Sequence, residues 1–212
     1  KRPSYWSPKF SNKEESDILK KLLNTNSTIQ NYLSPKNGTG KFFYRTTGGV
    51  YWKIFTDYSP KFMLNGEPSV SSRQKCLSVN NAENALILTG LFLSDVFWWW
   101  YSITSNMRDL NPSDLNGFKF PSTIFNDSDF LNCCKTLKND LISNSKMQVR
   151  EQKKTGHTET QLFKIALSKS IISDLDKIMA KHYGFTEEEL DFIINYDIKY
   201  RMSDELNADS EE

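Results

Sequence analysis

The residues best equipped to recognise a charged partner fall in two short stretches. Tyr44, Arg45, Thr46 and Thr47 stand directly before Gly48-Gly49, with Lys53, Lys61, Arg73 and Lys75 following; Arg108, Asp109 and Asn111 close a polar run after the aromatics at 97–101. A guanidinium or a side-chain amide can hold a base edge through paired hydrogen bonds worth about 1–3 kcal/mol, and hydroxyls accept several bases. Lysines meet phosphates and fix position without reading sequence. Each group also has a plainer reading. Threonine suits a strand, a single lysine suits a solvated surface, and Asp109 can simply pin Arg108 in a salt bridge. Phe97-Trp98-Trp99-Trp100-Tyr101 is the third notable run. Successive helical residues turn by about 100°, so three indoles fan around a helix, and at least one should reach a groove, a partner or another element. Two are expected in the core; a third could stack on an extruded base or pack on a neighbouring domain.

Other chemistry is missing. There is no G-x-G-x-x-G, no Walker loop and no H-E-x-x-H. Asn111-Pro112 continues as Ser113-Asp114, so the Asn-Pro-Pro-aromatic motif of an amino-methylating site is absent. His157 and His182 stand apart and build no nucleophilic set, which leaves no catalytic residue to name and a chain that is not catalytic alone. Cys76, Cys133 and Cys134 have no metal-ligand spacing, so no metal is expected, and reduced thiols in a cytoplasmic protein are the natural reading. Net charge is +1, but residues 203–212 hold five acids and no base; without them 27 bases face 21 acids. That mild excess permits an anionic partner. Leu86–Tyr101 is short for a membrane span and carries Thr89, Ser94 and Asp95, so a buried helix and no membrane are expected. KRPSYWSPKF has no signal-peptide core, and the lack of an initiator methionine reads as a piece of a longer protein.

The elements that must hold these residues follow from capping and periodicity. Ser11-Asn-Lys-Glu14 fits a capping box opening a helix over about 12–24, and residues 28–33 add a turn. Lys41–Arg45 and Val50–Phe55 read as a hairpin turning at Thr47-Gly48-Gly49, with Gln74–Val79 a third strand beyond the polar loop 65–73. A central helix spans about 82–101, with Asn81 as its cap. Residues 108–111 form a turn, 112–115 a helical turn and 117–121 an extended exit. Apolar spacing predicts a helix from 128 to about 149, a loop over 151–159, a strand over 160–167, and helices over 171–182 and 186–196 separated by Gly184. The class is α+β: a small mixed or antiparallel sheet on a central aromatic-rich helix, with further helices after it. Residues 1–202 form one domain, with the hairpin, strands and central helix in 12–121 and a mainly helical part with one strand in 128–202; the acidic tail 203–212 is expected to be disordered.

The ending GFTEEELDFIINYDIKYRM (Gly184–Met202) resembles the C-terminal end of adenine-specific DNA methyltransferases of type II restriction–modification systems, some fused to an endonuclease. YRTTGGVYWKIF (Tyr44–Phe55) with Leu91–Asn111 is similar to their Taq-like C-terminal target recognition domain. The resemblance covers roughly residues 12–202. It implies a bacterial, cytoplasmic specificity domain that binds double-stranded DNA beside a methylase domain of the same parent chain, where S-adenosylmethionine would bind; the family's cofactor and catalytic motifs are absent here. On that view the DNA-contacting residues are Tyr44, Arg45, Thr46, Thr47, Lys53, Arg73, Lys75, Arg108, Asp109 and Asn111. The alternative is a non-catalytic protein- or carbohydrate-binding module built on the aromatic cluster; single-stranded nucleic acid stacked on aromatics is a third reading.

Overall fold

In a computed structural model, which describes residues 8–9, 12–48, 52–152 and 156–202, the first helix starts where its cap is. Asn12, whose side chain accepts the Glu15 N–H at 2.8 Å, opens α1 (Lys13–Asn24). Ser11, the expected cap, lies outside the described residues, as do Gly49, Val50 and the tail 203–212. After a 3-10 turn at Ile29–Tyr32, β1 (Gly40–Arg45) pairs antiparallel with β2 (Phe55–Thr56) on one side and with β5 (Gln74–Val79) on the other. The third strand is where periodicity predicts it. The tight hairpin is not: Tyr44 faces Phe55 and Phe43 faces Thr56, and residues 46–48 and 52–54 lie outside the strands. The reason lies in who uses the backbone at Thr46. Its N–H goes to the Arg73 carbonyl at 2.9 Å and its carbonyl accepts from Leu110 N–H at 2.8 Å, which leaves nothing for a strand partner.

The loop expected at 65–73 is instead partly strand. Asn65 and Gly66, both at positive φ (51° and 86°), turn β3 (Phe62–Leu64) into β4 (Glu67–Pro68), the conformation that suits a two-residue hairpin. After α2 to α5, described next, β6 (Ser145–Gln152) and β7 (Gly156–Phe163) form a long hairpin, and the second sheet runs β4-β3-β7-β6, all antiparallel. This corrects the expected helix to 149, the loop over 151–159 and the strand over 160–167. Helix α5 (Ser128–Ser143) ends because apolar residues then alternate at Met147 and Val149 with Lys146, Gln148 and Arg150 between, a period of two. Beyond β7 the chain makes a 3-10 turn at Ile165–Ser168.

The expected single helix over 82–101 is two. Helix α2 (Ala82–Leu93) and α3 (Asp95–Thr104) meet at a 62° bend on Ser94. Ser94 is extended (φ −64°, ψ 156°); its hydroxyl donates to Leu91 O at 2.7 Å and accepts from Phe97 N–H at 3.1 Å, closing one helix and opening the next. From Ala85 onward both are largely apolar and buried on nearly every side. β1 and β2 cover α2 from one side, α5 and α6 (Lys169–Tyr183) from the other, while α6 and α7 (Glu187–Asn195) cover α3. Phe42, Phe55, Phe92 and Phe97 interlock with centroids 4.8–5.7 Å apart, where aromatic pairs attract. Trp98, Trp99 and Trp100 are 3%, 0% and 2% exposed, so all three belong to the core. Helix α4 (Pro112–Gly117) follows, and Phe120 then bridges Ser27 singly where an extended exit is predicted. Gly184 (φ 69°) and the Thr186–Glu189 capping box separate α6 from α7 as the sequence predicts. No single helix among the described residues is long and apolar enough to cross a membrane; α2 and α3 together have the composition but are bent and buried.

Charge is buried at the bend. Asp95 is fully buried, its carboxylate 2.5 Å from Arg201 Nη2 and 2.8 Å from Lys169 Nζ. Asp176, also fully buried, accepts the Asp95 and Val96 N–H groups at 3.2 and 3.4 Å and so caps α3. Arg201, in α8 (Ile198–Arg201), lies over the Trp52 ring at 3.9 Å, and its carbonyl accepts the Trp52 indole N–H at 3.1 Å. Burial, then the neighbouring Asp95, push the Asp176 carboxyl well above its ordinary range, against a partial pull from Lys169. The native state therefore keeps a proton that the unfolded chain releases above the carboxylate's ordinary value of 3.8. Stability is fullest below that value and falls as pH rises, by at most about 1.4 kcal/mol per unit. Urea midpoints across weakly acidic to neutral pH should drop with pH in the parent and show a flatter trend in Asp176→Asn, whose amide oxygen still caps α3.

Candidate functional site

The sequence-singled residues divide among three environments. Tyr44 and Lys53 point inward. Tyr44 is buried, which raises its phenol, and Lys53 donates to Gly48 O at 3.2 Å with its amine 5.5 Å from the Tyr101 ring centre. Burial lowers the Lys53 amine, with Asp109 opposing. Thr46 and half-buried Thr47 lead away from β1, the Thr46 hydroxyl donating to Arg73 O at 3.1 Å.

The second environment is the 105–111 turn. Asn111 caps α4, donating its backbone N–H to Asp114 Oδ2 at 2.8 Å and its amide to Asp109 O at 3.2 Å. Tyr101 donates to the same Asp109 carbonyl; burial pushes its phenol up to about 12, which holds the donor proton in place. Arg108 is the exposed member, 86% open along its side chain and only 3.9 Å from Asp109. The turn is thus locked by its own hydrogen bonds and fastened to β1 through Leu110 N–H and Thr46 O.

Arg45 and Arg73 enter the third environment, a groove of about 570 Å³ across one face of the second sheet. Its floor follows from register. Thr160 faces Phe62 on β3 and Gln148 on β6, and Thr158 faces Leu64 and Arg150, so all six share a face. The segment from Ser69 to Arg73 walls one side, and Arg45 and Gly48 enter from the end of β1. Lys75 and Lys61 are exposed but do not line it, nor do Arg108, Asp109 or Asn111. Arg45, Arg73 and Arg150 bring three guanidinium groups to a lining that contains no carboxylate. Partial burial, then Arg73 and Arg150, lower the Arg45 guanidinium from its ordinary value, and its Nε is buried with no hydrogen-bond partner among the described residues. Such a set repels itself when empty and favours an anion. Sequence reading misses Arg150, Gln148 and Thr160: it carries a helix through Gln148 to about 149, leaves Arg150 at the edge of a loop, and opens a strand at Thr160 without the β6 partner that brings the three together. The alternation K-M-Q-V-R was the available signal.

Other clusters are structural. Thr123, His182 and Asp127 line up at 2.8 Å each, but Asp127 already accepts two N–H groups as the cap of α5. His157 bridges Glu151 and Glu159 near the β6–β7 turn. Burial pushes the Cys133 thiol to about 11 and Cys134 well above the usual range, so neither is a ready nucleophile. Among the described residues no cluster could hold a metal ion. No family model, curated protein or solved structure matches the chain.

Relieving the like-charge crowding should stabilise the free protein. Arg150→Gln is expected to gain up to about 1 kcal/mol at low ionic strength, with the gain vanishing in molar salt. Denaturant titrations at the two salt concentrations check this; a gain independent of salt would contradict the electrostatic reading.

Proposed function

We propose that this chain binds double-stranded DNA and serves as the specificity domain of an adenine-N6 DNA methyltransferase or fused restriction–modification enzyme. The observation that carries the DNA reading is the groove in which Arg45, Arg73 and Arg150 gather without a carboxylate. A polyanionic backbone is the partner such a lining favours, because phosphate contacts release counterions and bind Arg through two hydrogen bonds. The methyltransferase context rests on the resemblance of Tyr44–Phe55, Leu91–Asn111 and Gly184–Met202 to target recognition domains. A methylase domain of the same parent chain and its S-adenosylmethionine belong to that context. The aromatic run, on which a protein- or carbohydrate-binding reading would depend, is interior, so the groove is the better-supported surface.

Binding to short duplexes should weaken steeply with salt. Each neutralised phosphate contributes about −0.9 to the slope of log affinity against log salt, and each of Arg45→Gln, Arg73→Gln and Arg150→Gln should reduce that slope by about one contact. Fluorescence anisotropy across a salt series measures it. A flat slope, or one unchanged in the triple variant, would sink the proposal.

A further inference from the structure

We infer that Gln148 is a base-reading residue of the groove, selecting adenine, while the cations beside it hold the backbone. The inference rests on the DNA reading above and assigns it a specificity determinant.

On β6 the groove face presents Lys146, Gln148 and Arg150 at every second residue, about 6.8 Å apart at a strand rise near 3.4 Å. That interval is twice the 3.4 Å step between bases along one strand. Two cations therefore bracket one neutral amide at a spacing commensurate with the ligand. β6 is the end strand of its sheet, and no described strand pairs with its outer side, so an extended ligand has access. Lys146 and Arg150 are exposed and Gln148 is half-buried, which sets the amide deeper than the charges.

Its hydrogen-bonding capacity is uncommitted. Among the described residues the Gln148 side chain forms no hydrogen bond, and neither does that of Thr160 directly opposite. The contrast on the reverse face is informative: Gln161 uses both ends of its amide, accepting from Lys61 N–H at 3.0 Å and donating to Ser145 Oγ at 2.9 Å. One glutamine ties the sheet together; the other is held ready beside three guanidiniums. A glutamine amide matches the donor and acceptor pair of adenine in the major groove. A two-stranded ribbon fits that groove, about 12 Å wide, better than the minor groove at about 6 Å. Gln148 does not line the smaller cavity beside the groove, so a base extruded into that cavity is not what its amide reads. The apolar cavity under Arg45 and Phe62 holds only about 30 Å³, room for a water or two.

The test is selection from a pool of short duplexes with a randomised centre, using the whole chain. The parent should enrich a site containing adenine at a fixed position. Gln148→Ala should lose that preference by about 5- to 150-fold with its salt slope unchanged, and Gln148→Glu should move it toward cytosine, whose amino group a carboxylate accepts. Arg73→Gln should weaken retention of all sequences alike and leave the preference intact. Enrichment of the same site by the parent and both Gln148 variants would overturn the inference while leaving DNA binding in place. So would salt-dependent retention by the parent with no preferred site. Failure of the parent to retain any duplex would refute the DNA reading itself, and the inference with it.

Discussion

Asp95 is the point on which this molecule turns. A fully buried carboxylate at the first position of α3 meets Arg201 from the end of the chain and Lys169 from the start of α6, and Asp176 caps the helix that Asp95 opens. Taking such charges out of water costs several kcal/mol per ion before pairing, so the cluster holds only as a set. Removing one partner would strand the others. Its position explains the bend between α2 and α3: an uninterrupted helix would use the Asp95 and Val96 N–H groups internally, and Asp176 could not receive them. Three segments remote in sequence, α3, α6 and α8, are thereby fixed to one another beside the aromatic core.

The same cluster reaches the groove through one side chain. Trp52 lies over the Arg201 guanidinium and donates to its carbonyl; three residues later Phe55 enters β2 and pairs with Tyr44, and Arg45 follows at the end of β1. The C-terminal stretch with the most distinctive sequence is therefore a clamp, and its consequence for the surface is indirect. The interior cations Lys169 and Arg201 are paired with Asp95. In the groove Arg45, Arg73 and Arg150 are left facing one another. That imbalance has no structural use evident in the fold, and an anionic ligand would relieve it.

Much of the framework was legible in the chain. Helix α1, strand β5, the Gly184 stop and the Thr186 capping box all follow from local chemistry that the fold respects. The bend at Ser94 was not, because Ser94 supplies only the local half of it and the Asp176 cap on α3 comes from 81 residues away. The Asn65-Gly66 turn is legible as a two-residue hairpin signal within what otherwise reads as a polar loop. The β6–β7 hairpin was lost to a helical period carried a few residues too far, and Arg150 and Gln148 went with it. Arg45 and Arg73 are identified by type; that they share a groove depends on the hydrogen bonds tying Thr46 to Arg73 and Leu110, which the local sequence does not announce. Arg108, Asp109 and Asn111 drew attention as polar residues in a turn. Most of that polarity is spent on the turn's own hydrogen bonds.

The groove is the surface proposed to meet DNA, and its arginine side chains can report contact individually. In isotope-labelled protein, titrating a short duplex should shift and slow the exchange of the Nε–H resonances of Arg45, Arg73 and Arg150 together, with Arg108 unmoved and Arg201 protected throughout. Perturbations confined to Arg108 and the 105–111 turn, with the three groove arginines unchanged, would contradict it.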